Sequence, residues 1–171
     1  MVDTRLADML KKYRAIEFGD FTLASGAKST FYIDVKSAVT NPDLLSAIAH
    51  EIARSHEFDV VAGVAVGGVP LAVATSMVAQ KPYAIIRAAE KSHGKKEVII
   101  GTVKDRDVLL VEDVTTSGGS ALYGINALRG AGARADRVVT VVDREQGAAL
   151  LLEEQGVRIL PLVRVSELFP G

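Results

Sequence analysis

The chain has 171 residues, 49% of them hydrophobic, with 20 Lys and Arg against 21 Asp and Glu and a formal net charge of −1. That length fits one domain with a substantial core, and the charge balance offers no diffuse attraction to nucleic acid, so a small anionic ligand has to be met by local positive charge. Zero Cys excludes disulfides, thiol catalysis and thiolate metal sites, and with no run of 18 apolar residues and no basic-then-apolar leader, neither spanning nor export is indicated and the cytoplasm is the expected compartment.

In chain order, Leu6, Met9, Leu10 and Tyr13 recur at helical spacing behind Asp3 or Thr4 as cap, predicting an amphipathic helix over 3–14. Two apolar, β-branched runs, 18–23 and 30–35, flank Ala-Ser-Gly-Ala-Lys and read as a β-hairpin. Asn41-Pro42-Asp43 starts a helix reaching about Ser55. Beyond it the pattern alternates: strand 59–64, helix 70–79, strand 82–87, strand 108–112, helix 119–130, strand 137–142, helix 146–155, strand 157–163. Such alternation predicts an α/β fold, a parallel doubly wound sheet with flanking helices. No repeat, low-complexity tract or linker divides the chain, so residues 1–171 are expected to form a single domain.

Three strand ends should then share one edge of the sheet, where ligands of open α/β folds bind. The first carries Gly67-Gly68, which lets backbone approach a ligand closely, with Pro70 opening the next helix. The second follows the apolar run 108–111 and reads Glu112, Asp113, Val114, Thr115, Thr116, Ser117, Gly118, Gly119, Ser120. Its turn offers backbone N–H groups and three hydroxyls at a helix start, a ready anion site. The paired acids would repel a phosphate beside them but suit vicinal ribose hydroxyls or Mg²⁺. Phosphate on the turn and sugar on the acids imply a phosphorylated ribose. No Gly-Lys-Ser/Thr follows and Gly-x-Gly-x-x-Gly is absent, which argues against both nucleoside triphosphate hydrolysis and dinucleotide binding. The third end carries Arg144, a permanently charged fork suited to a carboxylate or a planar ring. Between the second and third core strands, residues 88–101 are polar and basic; with Arg87 just before them, this reads as a solvated loop or a mobile lid that closes over a polyphosphate.

These residues resemble the orotate phosphoribosyltransferase family across nearly the whole chain. The resemblance rests on 21–29 (Phe-Thr-Leu-Ala-Ser-Gly-Ala-Lys-Ser) with Tyr32-Ile33-Asp34, the loop 87–94, the Val-Glu-Asp-Val-Thr-Thr-Ser-Gly-Gly motif and Asp143-Arg144-Glu145-Gln146-Gly147. The central motif is common to type I phosphoribosyltransferases; the hairpin and Arg144 motifs narrow it to the orotate branch. The resemblance implies the type I fold, a small N-terminal hood (1–40) over a core (41–171), and transfer of ribose 5-phosphate from 5-phosphoribosyl 1-diphosphate to N1 of orotate. It implies that residues 112–120 hold the sugar phosphate, that Thr116 and Arg144 contact orotate, and that Gly67 and Gly68 form the diphosphate turn. Arg87, Lys91 and His93 are implied in a lid serving the partner subunit's site in a homodimer, with Mg²⁺ on the diphosphate. Lys91 is then expected as the main catalytic cation and His93 as a second, while Asp113 takes a proton or binds hydroxyls.

Three positions depart from the family pattern. Ala88 stands where the lid usually has a second cation, Ala24 where many members carry Lys, and Gly67 where many bacterial members carry Lys in a Lys-Gly pair. Lys95 and Lys96, and Lys28 and Lys36, lie nearby as substitutes. Two rival readings are a purine-type phosphoribosyltransferase and a non-catalytic sensor of phosphoribosyl diphosphate that binds nucleic acid. Arg144 and the hairpin motif oppose the first, and the net charge opposes the second.

Overall fold

A computed structural model describes residues 4–88 and 97–169. Helix α1 (Thr4–Lys12) buries Leu6 and Leu10 and closes with Lys11 and Lys12, whose charges suit the negative end of a helix dipole. Strands β1 (Ile16–Thr22) and β2 (Lys28–Ile33) pair antiparallel, Ile16 opposite Ile33, with an irregularity between Phe18 and Phe21. The predicted second hairpin strand ran to Val35, but it stops at Ile33. Asp34 accepts hydrogen bonds from the Ser37 N–H (3.0 Å) and hydroxyl (2.6 Å) and so caps the short helix α2 (Val35–Ala38). Asn41 caps helix α3 (Pro42–Ser55) in the same way, with Pro42 in its first turn as the sequence indicated.

The core follows as β3 (Val60–Val64), α4 (Gly68–Ala79), β4 (Tyr83–Ile86), β5 (Ile99–Ile100), β6 (Val108–Thr115), α5 (Gly119–Gly130), β7 (Arg137–Asp143), α6 (Ala148–Glu153), β8 (Arg158–Arg164) and a 3₁₀ turn (Val165–Leu168). Six strands form one sheet in the order β5-β4-β3-β6-β7-β8, all parallel except β5. The short β5 lies inside the segment 88–101 expected as loop. Helices α1, α3 and α4 cover one face of the sheet over Val61, Leu109, Val111, Val139 and Val141. Helices α5 and α6 cover the other over Val60, Ala62, Leu110 and Val138. Each fully buried side chain of this kind contributes about 1.5–3 kcal/mol of transfer free energy. Pro161 lies in the edge strand β8, where the missing N–H costs least.

This order positions the site. The chain leaves β3 outward to β4 and leaves β6 outward the other way, to β7 and β8. The carboxyl ends of β3 and β6 therefore flank the point where the winding reverses, the place at which open α/β sheets bind their ligands. At the opposite ends of the strands, Arg137 spans β7 and its neighbours. Its guanidinium donates twice to the Asp107 carboxylate (3.0 and 2.8 Å) and once to the Glu57 carbonyl (2.9 Å).

Candidate active site

Strand β6 runs to Thr115, so Glu112 and Asp113 lie within it rather than after its end, Glu112 opposite Thr140 of β7. Successive side chains of a strand point to opposite faces. The adjacent acids therefore straddle the sheet. Glu112 turns toward α5, where its carboxylate accepts a hydrogen bond from the Ser120 hydroxyl at 3.1 Å. Asp113 turns toward the start of α4: a Cβ built on Gly67 would lie 2.5 Å from its carboxyl carbon and from both oxygens. With glycine at 67 that carboxylate lies directly against the 67–68 turn, and a side chain there would require the carboxylate to shift. The peptide between Ala65 and Val66 in the same turn is cis.

Glu112 is buried, and burial pushes its carboxyl up to about 7. The Ser120 hydrogen bond opposes that rise, the neighbouring Asp113 charge adds to it, and Lys36 offsets part of it.

Beyond β6 the chain turns through exposed Thr116 and Ser117 into α5. Gly118 takes φ 87°, in the left-handed region, and a Cβ there would approach the Ala148 Cα to 3.0 Å. No side chain caps α5 and no acid occupies its first turn, so its leading N–H groups and positive dipole end are open to an anion, with the Glu112 carboxylate bonded only to the Ser120 hydroxyl. Of the three hydroxyls expected on this turn, that of Thr115 is spent elsewhere. Thr115 is buried and donates to the Asp143 carboxylate at 3.2 Å, which corrects the expectation that its side chain faces the ligand.

At the end of β7 the Arg144 N–H donates to the Thr115 carbonyl (2.9 Å), joining the two loops. The Arg144 guanidinium lies 5.2 Å from the Phe31 ring centroid, and its Nε is buried with no hydrogen-bond partner. A guanidinium stacked on a ring keeps its in-plane N–H groups free for a planar anion. A polar cleft of about 590 Å³ opens in front of it, lined by Tyr32, Asp34, Lys36, Asp113, Thr116 and Arg144 among others.

The structure thus gathers Asp113, Val114, Thr116 and Arg144 at one cleft, with Gly67 and Glu112 beside it. Ser117, Gly118, Gly119 and Ser120 form the adjoining turn and helix start. Arg87 stands just past β4, its N–H bonded to the Val98 carbonyl (2.8 Å) and its carbonyl to the Tyr123 hydroxyl (2.9 Å). Lys91 and His93, with Lys95 and Lys96, lie outside the described residues. Sequence reasoning assigned no role to Phe31 or Thr40, read Asp34 only as part of the hairpin motif, and named Lys36 only as lying near the Lys missing at Ala24. Lys36 and Thr40 enter the cleft because the Asp34 cap turns the chain into α2 there. The Asp34-x-x-Ser37 spacing was the local signal for that turn.

Comparison with known proteins bears on this cleft. Residues 35–154 match the phosphoribosyl transferase domain family. An orotate phosphoribosyltransferase of Methanocorpusculum labreanum is 62% identical over 164 residues, 96% of this chain and 97% of that one. Among solved structures, an orotate phosphoribosyltransferase of Mycobacterium tuberculosis H37Rv superposes with a TM-score of 0.82 at 29% identity, covering 96% of this chain and 99% of that one. The same enzyme in complex with 5-phospho-α-D-ribosyl 1-diphosphate gives a TM-score of 0.76 at 28% identity, with 96% of each chain covered.

Proposed function

The chain belongs to the orotate phosphoribosyltransferases, within the phosphoribosyl transferase domain family, and from that premise we propose how its residues carry ribose 5-phosphate from 5-phosphoribosyl 1-diphosphate to N1 of orotate, releasing orotidine 5′-monophosphate and diphosphate. The observation that carries the assignment of roles is the joint at the reversal of the sheet. There Asp113, Thr116 and an arginine lying over an aromatic ring line one cleft, and the uncapped start of α5 follows Thr116 directly, with Glu112 bonded to its Ser120.

The 5-phosphate binds the turn of Thr116, Ser117, Gly118 and Gly119, where N–H groups and dipole favour an anion. Glu112 and Asp113 accept hydrogen bonds from the ribose hydroxyls. The diphosphate lies over Gly67 and Gly68. Arg144 donates its free in-plane edge to the orotate carboxylate, with Thr116 beside it, and this contact separates orotate from uracil.

Breaking the C1–O bond leaves oxocarbenium character on the ribose and negative charge on the leaving diphosphate. Arg87 and Lys91, with His93, stabilise that charge, so catalysis is chiefly electrostatic. The donor set at the diphosphate turn, the Asp113 carboxylate beside open backbone, suits Mg²⁺, which takes one or two carboxylates and completes its shell with phosphate oxygens and water. Bound there it supplies charge neutralisation to the departing diphosphate.

We further propose a homodimer in which the 88–101 segment serves the neighbouring site. Exposed Met77 and Val78 on α4, with Tyr83 and Ile100 on the β4–β5 side, support an apolar contact surface. No helix among the described residues is long and apolar enough to cross a membrane, and a cytoplasmic location remains part of the proposal. A purine base or a sensing role is not favoured, since the relatives at this identity carry the orotate name.

The test is loss of orotate absorbance on mixing the protein with Mg²⁺ and phosphoribosyl diphosphate, with hypoxanthine, adenine and uracil in parallel. Orotate-specific consumption is the expected result; consumption of another base alone would overturn it. In the same assay Lys91→Ala should lower kcat by about 100-fold, as for loss of a cation facing a developing charge. Unchanged turnover would remove the lid residues from the mechanism.

A further inference from the structure

The last described turn of the chain touches both walls of the base pocket. Leu168 is buried in the core and anchors the 3₁₀ turn Val165–Leu168. From that anchor the Phe169 ring meets Phe31 edge-on (centroids 5.2 Å apart) and Phe18 likewise (5.4 Å). Phe31 in turn carries the Arg144 guanidinium on its face. On the other wall the Ser166 N–H donates to the Glu145 carboxylate at 2.8 Å. Glu145 directly follows Arg144 and takes φ 57°, a conformation L side chains rarely adopt without external support.

Each wall is anchored at its base, the hairpin by buried Ile16 and Ile33 and the Arg144 loop by the Arg144 N–H on the Thr115 carbonyl and the Glu145 N–H on the Asp143 carboxylate (3.0 Å), but these anchors do not reach the Arg144 guanidinium. The hairpin is a two-stranded sheet detached from the main one, and isolated two-stranded ribbons are only marginally stable. The Arg144 Nε has no hydrogen bond to hold its plane. The aromatic chain Phe169, Phe31, Arg144 adds, beyond those anchors, a stop against which the ring, and hence the guanidinium, keeps one orientation.

We propose that Phe169 is a positioning residue for orotate. It acts through Phe31 to hold the Arg144 plane toward the substrate carboxylate, while Ser166 holds the loop that bears Arg144. This rests on the orotate reading of the cleft but makes a statement about Arg144 that is testable without any substrate. Phe169 lies on the base side of the cleft and the 5-phosphate turn on the other, so its effect is confined to one substrate.

The experiment pairs two readouts on the full chain with Phe169→Ala, and with Phe169→Tyr as the conservative variant. The first is the side-chain Nε–H resonance of Arg144 in ¹⁵N spectra of the free protein, identified by its loss in Arg144→Lys. The wild-type signal should be ring-current shifted and slow to exchange. Phe169→Ala should move it and speed its exchange, and Phe169→Tyr should restore it. The second is kinetic: Phe169→Ala should raise the orotate KM about three- to tenfold, the effect of one lost aromatic contact, with kcat and the phosphoribosyl diphosphate KM unchanged. An unmoved Arg144 resonance overturns the proposal, as does a parallel rise of both KM values with a fall in Tm, which would mean general loosening. If the resonance responds while the wild type consumes no orotate, the positioning of Arg144 stands and the orotate assignment falls.

Discussion

Strand β7 has an arginine at or just beyond each end, and the two differ in every respect that bears on function. Arg137, at the start, is largely shielded and has its guanidinium engaged by Asp107 and the Glu57 carbonyl. Arg144, just past the end, has a buried Nε without a partner and a ring for a neighbour. The contrast extends along both edges of the sheet. The starting edge satisfies its charges internally, as where Asp59 accepts from the Asp107 N–H at 2.9 Å. The finishing edge carries the raised Glu112 carboxyl, the positive φ of Glu145 and the uncapped start of α5. A fold loses stability by leaving polar groups unmatched, and the edge that tolerates them is the one to which the proposed function assigns both substrates.

The contrast can be broken experimentally. Arg144→Ala should lower kcat/KM for orotate about 100-fold, the scale of truncating one side of a desolvated charge pair. The requirement for phosphoribosyl diphosphate should change far less, and the Tm very little. Equal effects on both substrates would refute the assignment of Arg144.

Arg137→Ala should do the reverse. It removes three hydrogen bonds and strands part of the Asp107 charge, so unfolding stability should drop by about 2 kcal/mol in a denaturant titration. Activity per folded molecule should hold. A large loss of activity without a change in stability would make the starting edge part of the catalytic apparatus.

Glu112 sharpens the comparison through pH. Its folded value of about 7 lies above its ordinary 4.5, so the folded state binds the proton more tightly than the unfolded chain. The contribution is fully present below about pH 4.5 and is lost as pH rises through about 7. The free protein should lose on the order of 3 kcal/mol between those limits from this group alone. Glu112→Gln should flatten that part of the Tm profile between pH 5 and 8 while impairing use of the sugar substrate. An unchanged profile would place the Glu112 carboxyl in a wetter setting than its burial indicates.

Much of this architecture was readable in the residues. The fully apolar β3 and the run opening β6, the Asn41-Pro42 helix start and the glycine turns are local signals, and each marked its element. Where the reading stopped short, tertiary pairing decided. Residues 112–115, three of them polar, looked like the end of a strand but stay in the ladder because β7 pairs with them. Two residues are too few to announce β5, which exists through β4. The acids of the site were legible as a pair, whereas their division between two faces follows only from the strand continuing through them. Thr115 looked like one more ligand-facing hydroxyl until Asp143, 28 residues away, was seen to claim it. The aromatic chain from Phe169 to Arg144 joins three distant segments, and no window of sequence contains it.

The reversal of winding between β3 and β6 has a consequence for how such proteins diversify. In the proposed reading, leaving group, sugar phosphate and base are each handled at a different strand end. Replacing the hairpin and the loop after β7 would exchange the accepted base, and β6 with its helix could be inherited intact. The chemistry of the activated sugar is in that sense a fixed cartridge, and the acceptor half is the part that lineage or laboratory can graft.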